Sequence, residues 1–446
     1  MAFVIETVAD YVNRFSISDT SDTTRAKIAE LVTDLVAAAA AGFATDPARS
    51  ARIVAANLFQ SGGAGVWFSV DRLSSCAAAF CNSAAASALD VDDGHREAIG
   101  HPGAAVIPAV LAEGEVIGAS EDDLLSAIAV GYEVGIRIAA AQTDRIERRD
   151  YATGRWSSIA VAASVGHLRR LERGALAQAL AIAATHRACQ IPSGTSKKLG
   201  QIKEGIPWST LGGYFAVDLA QQGVTASLDI FDIASLFEGA LITGSLGSTF
   251  KIDATYTKPY CCCRWIHSSI DALLMLMQNH GVGADAIEAI VVDTIGPAAR
   301  LNNKTAPTSH FEAQFSVPYC LAVAAIEGVQ ALLTPDMGDL TDAARIDLAR
   351  KVMVRADPDL DASFPAQTGS RVCLVSRLGS FEGRVDFPKG DSRNPMTPDE
   401  IGQKFRTLVR YGLEPARAER TIVAAEAIGS SKMSNILDAI GYRKAV

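Results

Sequence analysis

The sequence predicts a mainly α-helical protein with a smaller, lid-like α+β domain and an active site in the cleft between the two. Three observations carry this expectation. Apolar residues recur every three or four positions up to about residue 250, β-branched runs appear only after residue 260, and helical patterning returns near the C-terminus. A chain of 446 residues exceeds what one core usually supports, and its 49% hydrophobic content is enough to fill two. The expected division places 1–262 and 396–446 in the large helical domain and 263–395 in the smaller one.

Taken in order, segments 24–42, 50–60, 72–88, 121–141, 157–170, 174–186 and 206–222 carry helical periodicity and much alanine, which favours helix and permits close packing. Two of them, ALAQALAIAATH and SSIAVAASVGHL, are apolar nearly all round, so they belong at the centre or at a subunit interface. After a helix at 267–280, the runs AIEAIVVDTI, KVMVRAD, SRVCLVSRL and EGRVDFP read as strands, with LGSFEG as a Gly-bounded hairpin turn. A helix at about 316–333 offers a packing face. In PMTPDEIGQKFRTLV, Thr397 stands as N-cap with Glu400 at the capping-box position.

Composition narrows the partners. A formal charge of −9 without a Lys/Arg run gives no footprint for nucleic acid or an anionic membrane. The N-terminal MAFVIETVADYVNRFSI lacks a basic n-region and a continuous apolar core, and no stretch reads as about 18 uncharged apolar residues, so a soluble cytoplasmic protein is expected. Of eight cysteines, Cys76, Cys81, Cys189, Cys320 and Cys373 sit in apolar surroundings typical of buried thiols, and no disulfide is implied. The triplet Cys261, Cys262 and Cys263, with His267 beyond, invites a metal reading. Adjacent cysteines cannot easily chelate one ion tetrahedrally, and no second ligand pair completes the set, so no metal is expected.

Three clusters could carry chemistry. DVDDGHREAIGHPG, residues 90–103, gathers Asp90, Asp92, Asp93, His95 and His101, and carboxylates beside imidazoles exchange protons near neutral pH. Asp92 and Asp93 read better as caps of the following helix. HPG sets His101 just before that helix, where backbone N–H groups also favour a substrate carboxylate. SGTSKKLGQIKEGIPW, 193–208, brings Lys197, Lys198 and Lys203 to a Gly-containing turn, where one amine could act as base and another as anion clamp. KPYCCCRWIH, 258–267, offers Lys258, His267 and the planar fork of Arg264, which matches a carboxylate. Solvated loops and core packing explain Lys198, Lys203 and Tyr319 equally well when each is taken alone.

HPGAAVIPAVLAEGE, GYEVGIRI, KEGIPW and KPYCCCRWIHSSIDA, in that order along most of the chain, resemble successive signatures of the MmgE/PrpD family. The resemblance implies a cofactor-independent enzyme acting on a small polycarboxylate, working as a homodimer. It implies catalytic roles for Asp90, His101, Lys197, Lys258 and Tyr319, with Asp93 as the substitute for Asp90 should the loop spacing shift. Substrate contacts would come from Arg264, His267, Lys198, Lys203, Asp93 and Tyr151. Lys198, Gly200 and Cys261 depart from the usual pattern. So does Trp156, which stands where dehydratases and decarboxylases of the family carry histidine, with Tyr151 or Arg155 as alternative occupants of that role. Tryptophan cannot shuttle a proton, and losing that acid should hurt departure of hydroxide or quenching of a carbanion more than inversion at an acidic carbon. Length and departures are most similar to the family's iminodisuccinate epimerases. The expected activity is epimerisation by deprotonation and reprotonation, with dehydration of a hydroxypolycarboxylate such as 2-methylcitrate as the alternative and carboxylate binding without catalysis as a third reading. Lys197 and His101 are unranked as the base.

Overall fold

The computed structural model describes residues 2–143, 152–186, 199–333, 337–426 and 434–442. Among the described residues, nine longer helices before residue 222 build most of the large domain: α1 (Val4–Arg14), α2 (Asp22–Gly42), α3 (Asp46–Leu58), α4 (Ser75–Ser87), α5 (Gly103–Ile117), α6 (Glu121–Ala141), α7 (Ser157–Leu168), α8 (Arg173–Thr185) and α9 (Ile206–Gln221). Their starts follow local chemistry. The Ser21 side chain accepts from the Thr24 amide at α2, and Ser120 with Asp123 closes a capping box at α6. The two all-round apolar helices, α7 and α8, are central: α7 packs on α5, α6, α8 and α9. A helical reading from residue 72 is corrected, because Ser61–Gly65 (β1) and Arg72–Leu73 (β2) pair antiparallel and α4 starts only at Ser75.

Helix α6 is long and apolar enough to cross a membrane, but its apolar stretch is interrupted by Glu133 and Arg137 and lies almost wholly buried inside the protein. It carries the buried ion pair Arg137–Glu133 at 2.6 Å, and the Arg137 guanidinium donates further to loop carbonyls around Ser245.

The smaller domain is a four-stranded sheet faced by α10 (Arg264–His280), with α11 (Val317–Glu327) beside that helix. Strands β3 (Ile287–Thr294), β4 (Val352–Ala356), β5 (Ser370–Ser376) and β6 (Gly379–Val385) lie in the order β4-β3-β5-β6, with only β3 and β4 parallel. The hairpin turn is tighter than LGSFEG suggested. Ser376 pairs with Gly379 across two residues, and Phe381 pairs with Leu374, so SFEG belongs to the strand, where period-2 alternation continues. Thr397 and Glu400 form the expected capping box of α12 (Pro398–Gly412), after which α13 (Pro415–Glu426) follows.

Two apolar cores result. The larger unites α1–α9 with Leu408, Val409, Ile422 and Leu437 from the C-terminal segment, so the chain returns to the helical domain. The smaller runs from Tyr260 to Leu374. The change of core falls inside the cysteine triplet: Cys261 packs in the first, Cys262 and Cys263 in the second.

Candidate active site

Four chain segments converge where the domains meet. The loop 90–102 is pinned to the stretch before α10 by paired backbone hydrogen bonds between Gly94 and Tyr256, and closes on itself between His95 and Gly100. Thr153 joins two more segments, its hydroxyl accepting from the His101 amide at 3.1 Å and donating to Glu204 at 2.7 Å. The small domain adds Trp265, Phe315, Phe364 and Thr368 as the opposite wall. The cavity they enclose is small, about 50 Å³. Asp90, Ile99 and Glu204 all line it with left-handed φ of 54°, 50° and 46°. Such conformations are costly, most of all for the β-branched Ile99, and cluster at functional sites.

Asp90 is the centre of charge. Lys258 Nζ binds Asp90 Oδ1 and, at 2.9 Å, the Asp90 carbonyl; Lys203 Nζ lies 2.9 Å and His101 Nε2 3.5 Å from the same Oδ1. The Lys203 contact is ionic in distance but lacks hydrogen-bond angles, so charge attraction holds it. Burial favours the neutral acid, yet Lys203, Lys258 and His101 outweigh it and hold the Asp90 carboxyl well below the usual carboxylate range. Burial would lower both lysines, but Asp90 overrides it and raises them. Both amines therefore stand protonated, and neither is a free base in this arrangement.

His101 has its two nitrogens in different surroundings. Nδ1 lies 3.1 Å from the Asp93 carbonyl and 3.0 Å from Asp92 Oδ2, while Nε2 faces Asp90 and, at 3.9 Å, Glu204. A proton on Nδ1 satisfies the acceptors there and leaves Nε2 on the cavity side to exchange one. Asp93 has the capping role read from the sequence: it accepts from the Gly103 amide at the start of α5 at 3.0 Å and from the Tyr132 hydroxyl at 2.6 Å. Burial pushes its carboxyl up to about 7. A side chain at Gly103 would bring a β-carbon within 2.5 Å of both partners, so only glycine permits this cap.

Asp90, Asp92 and His101 offer oxygen and nitrogen atoms within 4.8 Å of one another, a spacing that could suit a metal. Two ammonium groups already surround the Asp90 oxygen, and a dication would meet both charges, so the donor set does not fit a metal. Burial pushes the cavity-lining Cys263 thiol up to about 12, which keeps it from acting as a thiolate.

The structure brings Asp90, His101, Lys203, Lys258 and Arg264 of the expected set to this cavity. It places three others elsewhere. Tyr319 lies in the small-domain core, its hydroxyl 3.4 Å from the Asp339 carbonyl, because the apolar face of α11 turns it inward. His267, fully buried one turn into α10, accepts from Arg264 at 3.2 Å through Nδ1 and donates to the Cys262 carbonyl at 3.1 Å; it positions Arg264 without lining the cavity. Asp93 is likewise behind the wall. Lys197, Lys198 and Tyr151 lie outside the described residues. Trp156 packs against Gly100 and Gly135 in the core and does not line the cavity.

Sequence reasoning gave Lys203 only a binding role and passed over Glu204 and Tyr256. Lys203 and Glu204 stand in KEGIPW next to Gly205 (φ 67°), and that turn before α9 was the available signal. Tyr256 sits two residues before Lys258 in an extended stretch, and nothing in its spacing marks it.

Comparison with known proteins gives two family matches, MmgE/PrpD N-terminal domain over residues 6–247 and MmgE/PrpD C-terminal domain over 260–429. Similar curated proteins include a cis-aconitate decarboxylase of Aspergillus terreus, 27% identical over 382 residues that cover 78% of this chain and 77% of the relative. A cis-aconitate decarboxylase-like protein, oryM, of Aspergillus oryzae is 24% identical over 378 residues, covering 77% of each chain.

Proposed function

The chain belongs to the MmgE/PrpD family, and from that premise we propose a cofactor-independent epimerase that inverts an α-carbon of a small, iminodisuccinate-like polycarboxylate. The observation that carries it is the buried cluster of Asp90, Lys203, Lys258 and His101 at one cavity. His101 Nε2 removes the α-proton, and the Lys203 ammonium returns one to the other face. Charge that develops on the substrate carboxylate meets Lys258, already fixed in place and shielded from water. Asp90 keeps both amines protonated and oriented.

One observation favours a second reading: the relatives are named as cis-aconitate decarboxylases, so a lyase acting on a related polycarboxylate is the alternative. Incubation with a single stereoisomer of iminodisuccinate, with 2-methylcitrate and with cis-aconitate separates the two. The proposal expects the other stereoisomer by chiral chromatography. Release of CO2 or a new conjugated double bond in the ultraviolet, without inversion, transfers the protein to the lyases.

The proposal includes a cytoplasmic homodimer. Exposed Val54, Ile202 and Trp208 line an apolar groove that shares Lys203 with the cavity, a surface suited to a second copy. Light scattering that gives a monomer removes this part.

A further inference from the structure

Besides the Asp90 cluster, the cavity is lined by polar groups that the fold leaves unused. Tyr256 is buried, and its hydroxyl makes no hydrogen bond within the described residues. The Arg264 guanidinium stacks over its ring at 4.5 Å, donates to the Lys389 and Pro388 carbonyls at 2.8 and 3.1 Å, and keeps Nε without a partner. His95, 1% exposed, makes no hydrogen bond through either ring nitrogen, beyond a marginal contact with the Lys251 backbone. Thr368 on the small-domain wall likewise has an unpaired hydroxyl. Arg264 Nε, both His95 ring nitrogens and Thr368 Oγ1 are buried without partners among the described residues, and such a concentration beside the Tyr256 hydroxyl along one cavity wall calls for a ligand that accepts hydrogen bonds.

Glycine at position 94 makes the corner. A β-carbon there would lie 2.4 Å from the Tyr256 hydroxyl oxygen and 2.5 Å from the ring carbon that bears it, so any other residue expels the tyrosine. The Gly94–Tyr256 backbone pairing fixes the approach, and His95 follows at once in the chain. Burial keeps the Tyr256 hydroxyl protonated and pushes His95 down to about 4, hence neutral. The corner thus presents one cation and two uncharged donors.

We propose that Tyr256, admitted by Gly94, together with His95 and the Arg264 guanidinium forms a subsite for a substrate carboxylate remote from the reacting carbon, and so sets which polycarboxylate the cavity takes. This deepens the function proposed above and rests on its polycarboxylate reading, but not on the choice between epimerase and lyase.

Calorimetric titration with tricarballylate, an unreactive tricarboxylate, tests it on wild type, Tyr256→Phe, His95→Phe and Gly94→Ala. Each substitution should weaken binding about tenfold or more, the scale of a hydrogen bond to a charged group. Tyr256→Phe should melt with wild type, since its hydroxyl has no partner to lose, whereas a merely structural role would move the melt and leave the affinity. Wild-type affinity in Tyr256→Phe and His95→Phe overturns the subsite while the polycarboxylate reading stands. Failure of the wild type to bind tricarballylate overturns both.

Discussion

Replacing Asp90 by asparagine removes one charge and leaves two. Lys258 is 1% exposed, and among the described residues Asp90 is its only ion-pair partner; Lys203, 5% exposed, keeps among them only Glu204, at 3.7 Å. Breaking a buried pair from one side costs about 3–5 kcal/mol, because the remaining charge is stranded. The pH dependence gives the mechanism. In the native protein Asp90 raises both lysines, so their contribution is complete below the ordinary lysine pKa of about 10.4 and fades only as pH rises through the raised values. Asp90 itself is depressed, so its contribution is present above about pH 4 and is lost as pH falls through its lowered value. In Asp90→Asn only the weaker attraction of Glu204 and Asp92 opposes burial, and the lysines fall below their unfolded values. The unfolded state then binds more protons, and stability climbs as pH rises toward 10. Urea midpoints at pH 6 and 9 read this out: the variant is destabilised at both and recovers part of the loss at pH 9. Turnover should fall about 10²–10⁴-fold as the proton-exchanging cluster is lost. A variant with the wild-type midpoint, no pH trend and full turnover refutes the charge assignment.

His101→Gln and Lys203→Met should each lower turnover about 10²–10⁴-fold with folding retained by circular dichroism; wild-type rates in both remove them from the proton path. The buried pair Lys404–Asp34, 2.5 Å apart, ties α12 to α2, and the same ammonium holds the Val91 carbonyl at 2.9 Å, between Asp90 and Asp92. Lys404→Met should cost about 3–5 kcal/mol in urea unfolding, and Asp34→Asn in that background should restore part of it; equal midpoints for single and double variants contradict the pairing. Asp93, raised from 3.8 to about 7, makes its full contribution below pH 4 and loses it as pH rises toward 7. Asp93→Asn should flatten stability across that window, and an unchanged slope would deny the raised value.

The helical domain was legible because alanine-rich periodicity and cap residues act locally: Thr397 and Glu400 close their box without help from the rest of the chain. The hairpin at 376–379 was placed a few residues too late because glycines at 379 and 383 read as turn residues, whereas pairing with β5 absorbs both. In the site, Asp90, His101, Lys258 and Arg264 sit in motifs that resemble a known family, and they converge. Tyr319 misled because a tyrosine on an apolar helix gives no sign of the wall it faces. Tyr256 and Gly94 escaped notice for the converse reason. Their relation is a close approach between segments more than 150 residues apart, where a β-carbon at 94 would lie 2.4 Å from the Tyr256 hydroxyl, a tertiary fact with no local periodicity.

Proton NMR of the chelator-treated protein with one stereoisomer of iminodisuccinate in deuterated water tests the central claim most directly. The account predicts the other diastereomer with deuterium at the inverted α-carbon, at a rate that falls at least about 10²-fold in His101→Gln. Loss of water or CO2 from a polycarboxylate without α-exchange, or inversion that persists undiminished in His101→Gln, would contradict it.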